Sequence, residues 1–167
     1  VKSNCGGIES NWSTAFSFST LCPEISSLPL VENFDTYSTG TSAYPPCWNK
    51  NSYSTSYPSI SSTNFSSPGS LYIYAGASGA FTYAITPKFS AAIPINSLMA
   101  EFKLRNTAAD DTLYVGVMTN PSDTTTFELI TKLTPSSTAT WQDFEVYFNN
   151  YTGTGTYIAF KSVYTTT

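Results

Sequence analysis

At 167 residues the chain has room for one sandwich or barrel with a proper core, and not for two ordinary domains. Its net charge is −4, and its seven Lys and Arg residues are scattered singly from Lys2 to Lys161, so no basic stripe exists to neutralise a phosphate backbone and nucleic acid is not expected as a partner. No run approaches the roughly 18 apolar residues of a membrane span, no charged n-region with an apolar h-region stands at the N-terminus, and any signal peptide or anchor is expected outside this sequence.

In chain order, residues 1–22 read as a short extended piece, a turn at Gly6-Gly7, and an alternating stretch with Phe16 and Phe18 before Cys22, with a boundary near Pro23. A linker over 23–29 follows. A short strand is expected near 30–35, then one with Leu71 and Ile73 alternating with Tyr72 and Tyr74, and another near 81–86. The clearest alternation covers 98–105, where Leu98, Ala100, Phe102 and Leu104 face one way and Glu101, Lys103 and Arg105 the other. Leu113, Val115 and Val117 against Tyr114 and Gly116 predict the next strand, and a short one is expected near 127–133. Phe144, Val146 and Phe148 alternate with Asp143, Glu145 and Tyr147, and Ile158 and Phe160 with Tyr157, Ala159 and Lys161. Turn clusters separate these runs at Ser38 to Ser42, Ser66 to Gly69, Thr107 to Asp111, Asn120 to Thr126, Pro135 to Thr140 and Thr152 to Gly155. No ten-residue segment carries an apolar stripe at helical spacing and no internal repeat is visible, so the expected fold is all-β, an antiparallel sandwich.

Charged residues make up only 11 % of the chain while aromatic residues reach 16 %, and solubility falls to hydroxyls. The chain has no histidine, which removes the Ser/His/Asp arrangement and the usual general base. Glu101, Asp143 and Glu145 are the strand carboxylates that are candidates for glycoside hydrolysis, but each lies on the polar phase of its strand, where a solvated charge belongs. The chain is therefore read as not an enzyme.

The segment Leu30 to Trp48, "LVENFDTYSTGTSAYPPCW", resembles the opening of the cleaved-adhesin domains, jelly-roll modules related to the MAM-like and choice-of-anchor J families of Bacteroidota secreted proteins. "SPGSLYIYAG", "YAITPKF", "INSLMAEFKLR", "DTLYVGVMTNPSDTTTFELI" and "STATWQDFEVYFNNYTGTGTYIAFKS" follow that family's order of strands across residues 28–164. Residues 1–22 resemble the last hairpin of a fibronectin type III domain from the same group of proteins. The resemblance implies a jelly roll over residues 30–167 and a place in a secreted or cell-surface bacterial adhesin, protease or glycan-active protein, often with bound calcium. Such domains usually close with a further strand bearing an acidic pair, which this chain does not show. The sheet is then expected to keep an open slot, which a strand-donating partner, a second copy or residues 1–22 would fill.

Hard oxygen ligands for calcium are offered by Asp35, at the acidic position after Phe in the family motif, with Glu32 beside it; ordinary strand-end acids are the other reading. Asp110 and Asp111 are a weaker alternative, equally well explained as a turn. For a glycan or a host extracellular protein, stacking area is offered by Tyr72 and Tyr74 on one strand face, by Tyr114 and Tyr147 on the phase opposite the aliphatic residues, and by Trp48, Tyr53 and Tyr57 as a loop-borne site. Strand-forming tyrosines without a ligand are the plain alternative, and a structural spacer is the rival function. Asn11, Asn64 and Asn150 are sequons that matter only in a eukaryotic host. In Bacteroidota, Thr112 and Thr124, each following Asp, are the O-glycosylation candidates. A bridge between Cys22 and Cys47 would tie the entry of the jelly roll to its first long loop, leaving Cys5 free.

Overall fold

The structure, a computed structural model, describes residues 2–14, 21–108 and 111–164; Phe16, Phe18 and Asp110 lie outside the described residues. Eleven strands are formed among them: β1 Asn4–Cys5, β2 Ile8–Glu9, β3 Asn49–Ser52, β4 Tyr57–Ser61, β5 Ser70–Tyr74, β6 Phe81–Ile85, β7 Met99–Leu104, β8 Leu113–Met118, β9 Glu128–Leu133, β10 Gln142–Tyr147 and β11 Tyr157–Val163. Two single 3-10 turns, at Ile95–Ser97 and Thr124–Thr126, are the only helical pieces described.

One layer is a five-stranded antiparallel sheet in the order β3-β6-β11-β8-β9. The other consists of two separate two-stranded ribbons, β4-β5 and β10-β7. The period-two alternation explains the sandwich directly, because residues i and i+2 share a face and the apolar set of each strand must find cover. Leu113, Val115, Val117 and Ile158 from the sheet meet Val146, Phe148 and Leu98 from the opposite side, with Ile73, Ala100, Phe102, Leu104 and Phe160 packed against them. Phe102 and Phe160 meet edge to face across the layers at 5.6 Å. The fold is thus all-β, as the alternation predicts.

Cover is unequal. Val115 and Val117 are fully buried and Ile158 is 5 % exposed, whereas Leu71, Ile73, Phe102, Leu104 and Phe160 are only half-buried. β4 receives some edge pairing from the preceding loop, through Gly40 N–H to the Ile60 carbonyl and Ile60 N–H to the Ala43 carbonyl. Among the described residues, β5 and β7 have one strand neighbour each.

The strand expected near 30–35 does not form: these residues are irregular, and Val31 is 79 % exposed. Leu30-Val31 and Glu32-Asn33 break the period-two alternation, and among the described residues no neighbouring strand supplies the ladder hydrogen bonds a strand requires. Conversely, β3 and β4 were not expected. β3 is Asn-Lys-Asn-Ser, without an apolar residue, and Pro58 inside β4 argues against a strand from sequence alone. Pro58 is accommodated because β4 pairs fully on one side only.

Residues 2–14 are exposed throughout, with β1 and β2 joined across Gly6-Gly7, both at positive φ, into a hairpin. Cys22 and Cys47 are bonded, with Cα atoms 5.3 Å apart, and Cys5 is a free exposed thiol.

Candidate binding surface

β4 and β5 pair with Tyr57 opposite Tyr74 and Ser59 opposite Tyr72. Ile60 and Ile73 take the inward positions, so the tyrosines stand on the solvent side. The rings of Tyr72 and Tyr74 are stacked at 5.9 Å with planes 21° apart, and Tyr57 leans on Tyr74 at 5.3 Å and 49°. Gly76 closes the row: a Cβ there would lie 2.7 Å from the Tyr74 ring, so only glycine lets that ring settle. Tyr74 is consequently hemmed in by Tyr72, Tyr57 and Gly76, while Tyr72 has a ring neighbour on one side only among the described residues. Burial, then the neighbouring Tyr57 and Tyr74 and the negative charge of Asp111, push the Tyr72 hydroxyl above its ordinary pKa. Hydroxyls of Ser61 and Ser70 sit at the end of the strip, engaged with the Thr63 backbone.

The loop-borne trio of Trp48, Tyr53 and Tyr57 is not brought together. Tyr57 belongs to the strip just described. Trp48 packs edge to face on Phe34 at 5.7 Å, and Tyr53 stacks on Phe81 at 5.9 Å. Sequence reading missed Tyr57 as a strand residue because Pro58 masked β4.

Glu32 is engaged through both oxygens, accepting from the Phe34 N–H at 2.8 Å and the Tyr37 hydroxyl at 2.8 Å. Asp35 accepts from the Ser66 hydroxyl at 3.2 Å. Phe34 between them has φ 62°. Among the described residues no three of His, Cys, Asp and Glu converge in a way that could hold a metal. Asp111 caps a turn, accepting from the Thr107 hydroxyl and the Ala108 N–H, both at 3.0 Å.

Tyr114 and Tyr147 lie on different surfaces from the strip and from each other. Tyr114 is on the outer face of the five-stranded sheet beneath Lys132, whose Nζ is 5.3 Å from the ring centre. Tyr147 is 56 % exposed on the outer face of the β7-β10 ribbon and donates to the Glu145 carboxylate at 2.7 Å, which raises its pKa. Glu101 and Glu145 face each other in that ladder, and Lys103 pairs with Asp143 beside them. All three carboxylates stand exposed on a sheet face. A cleft of about 330 Å³ runs between β9 and β10, lined by Leu129, Thr131, Glu145, Tyr147 and Asn150 among others. Thr112 is half-buried with its hydroxyl 2.8 Å from that of Thr134, and Thr124 is half-buried at the start of a 3-10 turn.

The architecture is that of a known sandwich type. The chain is similar in structure to the K2 cleaved adhesin domain of Lys-gingipain, with a TM-score of 0.60 and 13 % sequence identity over 80 % of this chain and 88 % of that one. The K1 cleaved adhesin domain of Lys-gingipain from Porphyromonas gingivalis W83 aligns at a TM-score of 0.45 and 13 % identity, over 79 % of this chain and 86 % of the other. No protein-family model matches the chain. No curated protein is similar to it in sequence. At this level of identity the likeness is one of fold.

Proposed function

We propose that this chain is a non-catalytic glycan-binding module of a secreted or cell-surface bacterial protein, of the cleaved-adhesin kind related to the MAM-like and choice-of-anchor J domains. The observation that carries the reading is the row Tyr57, Tyr74, Tyr72: three rings in contact on the solvent side of one ribbon, with serine hydroxyls at its end. Aromatic faces offer apolar area to a sugar ring while their hydroxyls stay wet, and Tyr72 at the open end of the row is the residue with a face to give. The likeness in fold to an adhesin domain and the Cys22–Cys47 bridge, a bond suited to an oxidising compartment, support an extracellular setting.

A glycan array followed by titration tests this. Binding should be nearly independent of salt, and Tyr72→Ala should weaken it by about tenfold or more, in the range of a binding hot spot. Tyr74→Ala should also lower the melting temperature, because its ring is packed on three sides. A blank array with a positive pulldown of a host extracellular protein would replace glycan by protein as the ligand. Blank results in both would leave a structural spacer.

Asp35, with Glu32 as helper, is proposed as the seat of a structural calcium, since the turn offers hard carboxylate oxygens. Melting should then be higher in calcium than in chelator and lose that response in Asp35→Ala; identical curves would remove the metal. Thr112 and Thr124 are proposed as O-glycan acceptors, to be checked by intact mass of protein from its native host.

A further inference from the structure

The strands of the five-stranded sheet are in register so that Asn51, Tyr83, Lys161, Tyr114 and Lys132 form one transverse row: Asn51 faces Tyr83, Tyr83 faces Lys161, Lys161 faces Tyr114, and Tyr114 faces Lys132. Since Val115 and Phe160 point into the core between the layers, this row lies on the other face of the sheet, where Tyr83 is buried in a second cluster with Ile85, Met118 and Ala159 and only the Lys161-Tyr114-Lys132 end of the row reaches solvent. The ammonium of Lys161 is 5.3 Å from the Tyr83 ring centre, 5.5 Å from that of Phe127 and 6.0 Å from that of Tyr114, and Lys132 covers Tyr114 at 5.3 Å. Phe127 reaches this face because position 116 is glycine; a Cβ there would come within 2.5 Å of the ring.

The placing of the charges is what marks the row. Lys2, Lys88 and Lys103 are each paired with a carboxylate, whereas Lys132 and Lys161, like Lys50 and Arg105, form no salt bridge among the described residues, and these two alone flank one ring. The other outward positions on β8, β9 and β11 are Gly116, Met118, Leu129, Tyr157, Ala159 and Val163, with no acid among them. The strand acids Glu101, Asp143 and Glu145 are on the β7-β10 ribbon, and Glu128, at the start of β9, stands opposite the inward-facing Val117 and acts on Tyr151 rather than on this row. A protein of net charge −4 thus sets two uncompensated cations on either side of one tyrosine.

We propose that this row binds an acidic saccharide, one whose sugar ring carries a carboxylate or sulfate, at a site separate from the tyrosine strip; it extends the glycan reading to a second surface. Ammonium groups serve carboxylate and sulfate alike as compact point charges, and the half-buried ring of Tyr114 between them supplies apolar area at the same level. An extended acidic peptide fits less well, because β8 and β11 are interior strands whose two edges are already paired and have no backbone groups to offer it.

Titration of the full chain with polygalacturonate, dextran sulfate, neutral dextran and polyglutamate at rising salt tests the proposal. Polygalacturonate or dextran sulfate should bind more tightly than dextran and polyglutamate, and which of the two persists to higher salt assigns carboxylate or sulfate. Lys132→Gln, at an exposed position, should lower the slope of log affinity against log salt by up to about 1, as loss of one ion contact on a polyanion does. Lys161→Gln should act likewise, with its melting temperature checked because its side chain packs on three rings. Tyr72→Ala should leave acidic binding intact, and Lys132→Gln should leave neutral-glycan binding intact, which separates failure here from failure of the tyrosine strip. An unchanged slope in Lys132→Gln, equal binding of neutral dextran, or polyglutamate binding as tightly as polygalacturonate would overturn the assignment.

Discussion

Thr82 is fully buried on β6, and its hydroxyl finds no hydrogen-bond partner among the described residues. A buried, unmade hydrogen bond costs about 1–3 kcal/mol, and an isosteric apolar group avoids that cost. Thr82→Val should therefore stabilise the fold by about 1 kcal/mol in denaturant unfolding; a lower midpoint would mean that a water or an unseen partner serves the hydroxyl. Tyr44 poses the opposite case. Its hydroxyl donates to the Asn49 carbonyl at 2.8 Å, and burial pushes its pKa well above the ordinary 10.0. The folded state thus favours the neutral phenol. The associated stability is complete below the unfolded pKa of about 10 and is lost as pH rises toward the folded value. Melting temperatures should fall steeply above pH 10, and Tyr44→Phe should flatten that fall without abolishing it, since burial also raises Tyr72 and Tyr151. At neutral pH the same variant should lose about 1 kcal/mol with its hydrogen bond.

Among the elements, the entry segment is the least regular and the most dependent on a covalent tie. Residues 26–38 contain no strand, and the Cys22–Cys47 bond, with a sequence separation of 25, brackets them. Closing a loop of that length lowers the entropy of the unfolded chain by an amount worth about 3.5 kcal/mol at room temperature. Replacing both cysteines by alanine should cost stability of that order in equilibrium unfolding, while Cys5→Ala on the exposed hairpin should be neutral. A strand was expected near 30–35 and none formed, since the segment neither alternates nor finds a strand to pair with among the described residues. β4 is the mirror case, since Pro58 hides a strand whose formation depends on pairing with β5.

For the whole molecule, cover differs from position to position in both layers. Val115, Val117 and Ile158 in the sheet and Ile60 and Val146 in the ribbons are almost fully buried, whereas Phe160 in the sheet and Leu71, Ile73, Phe102 and Leu104 in the ribbons are half-buried. Amide hydrogen exchange should be slowest on β8 and β11 and faster along β5 and β7, whose second edges have no strand neighbour among the described residues. Uniform protection across both layers would show that something covers the ribbons in solution. The all-β class and the inward phase of the strands centred on Phe102, Val115, Val146 and Ile158 were determined by the sequence alone, because alternation is a local property that a few residues express by themselves. So was the outward phase of Tyr72, Tyr74, Tyr114 and Tyr147. Tertiary structure alone decided which outward residues meet. It joined Tyr57 to Tyr74, sent Tyr147 to another surface, and set Lys132 and Lys161 on the two sides of Tyr114. Those encounters depend on strand order and register between segments up to 47 residues apart in the chain, Tyr114 to Lys161 being the longest. Period-two patterning carries no information about which strand lies beside which; that is chosen by how the inward faces pack together.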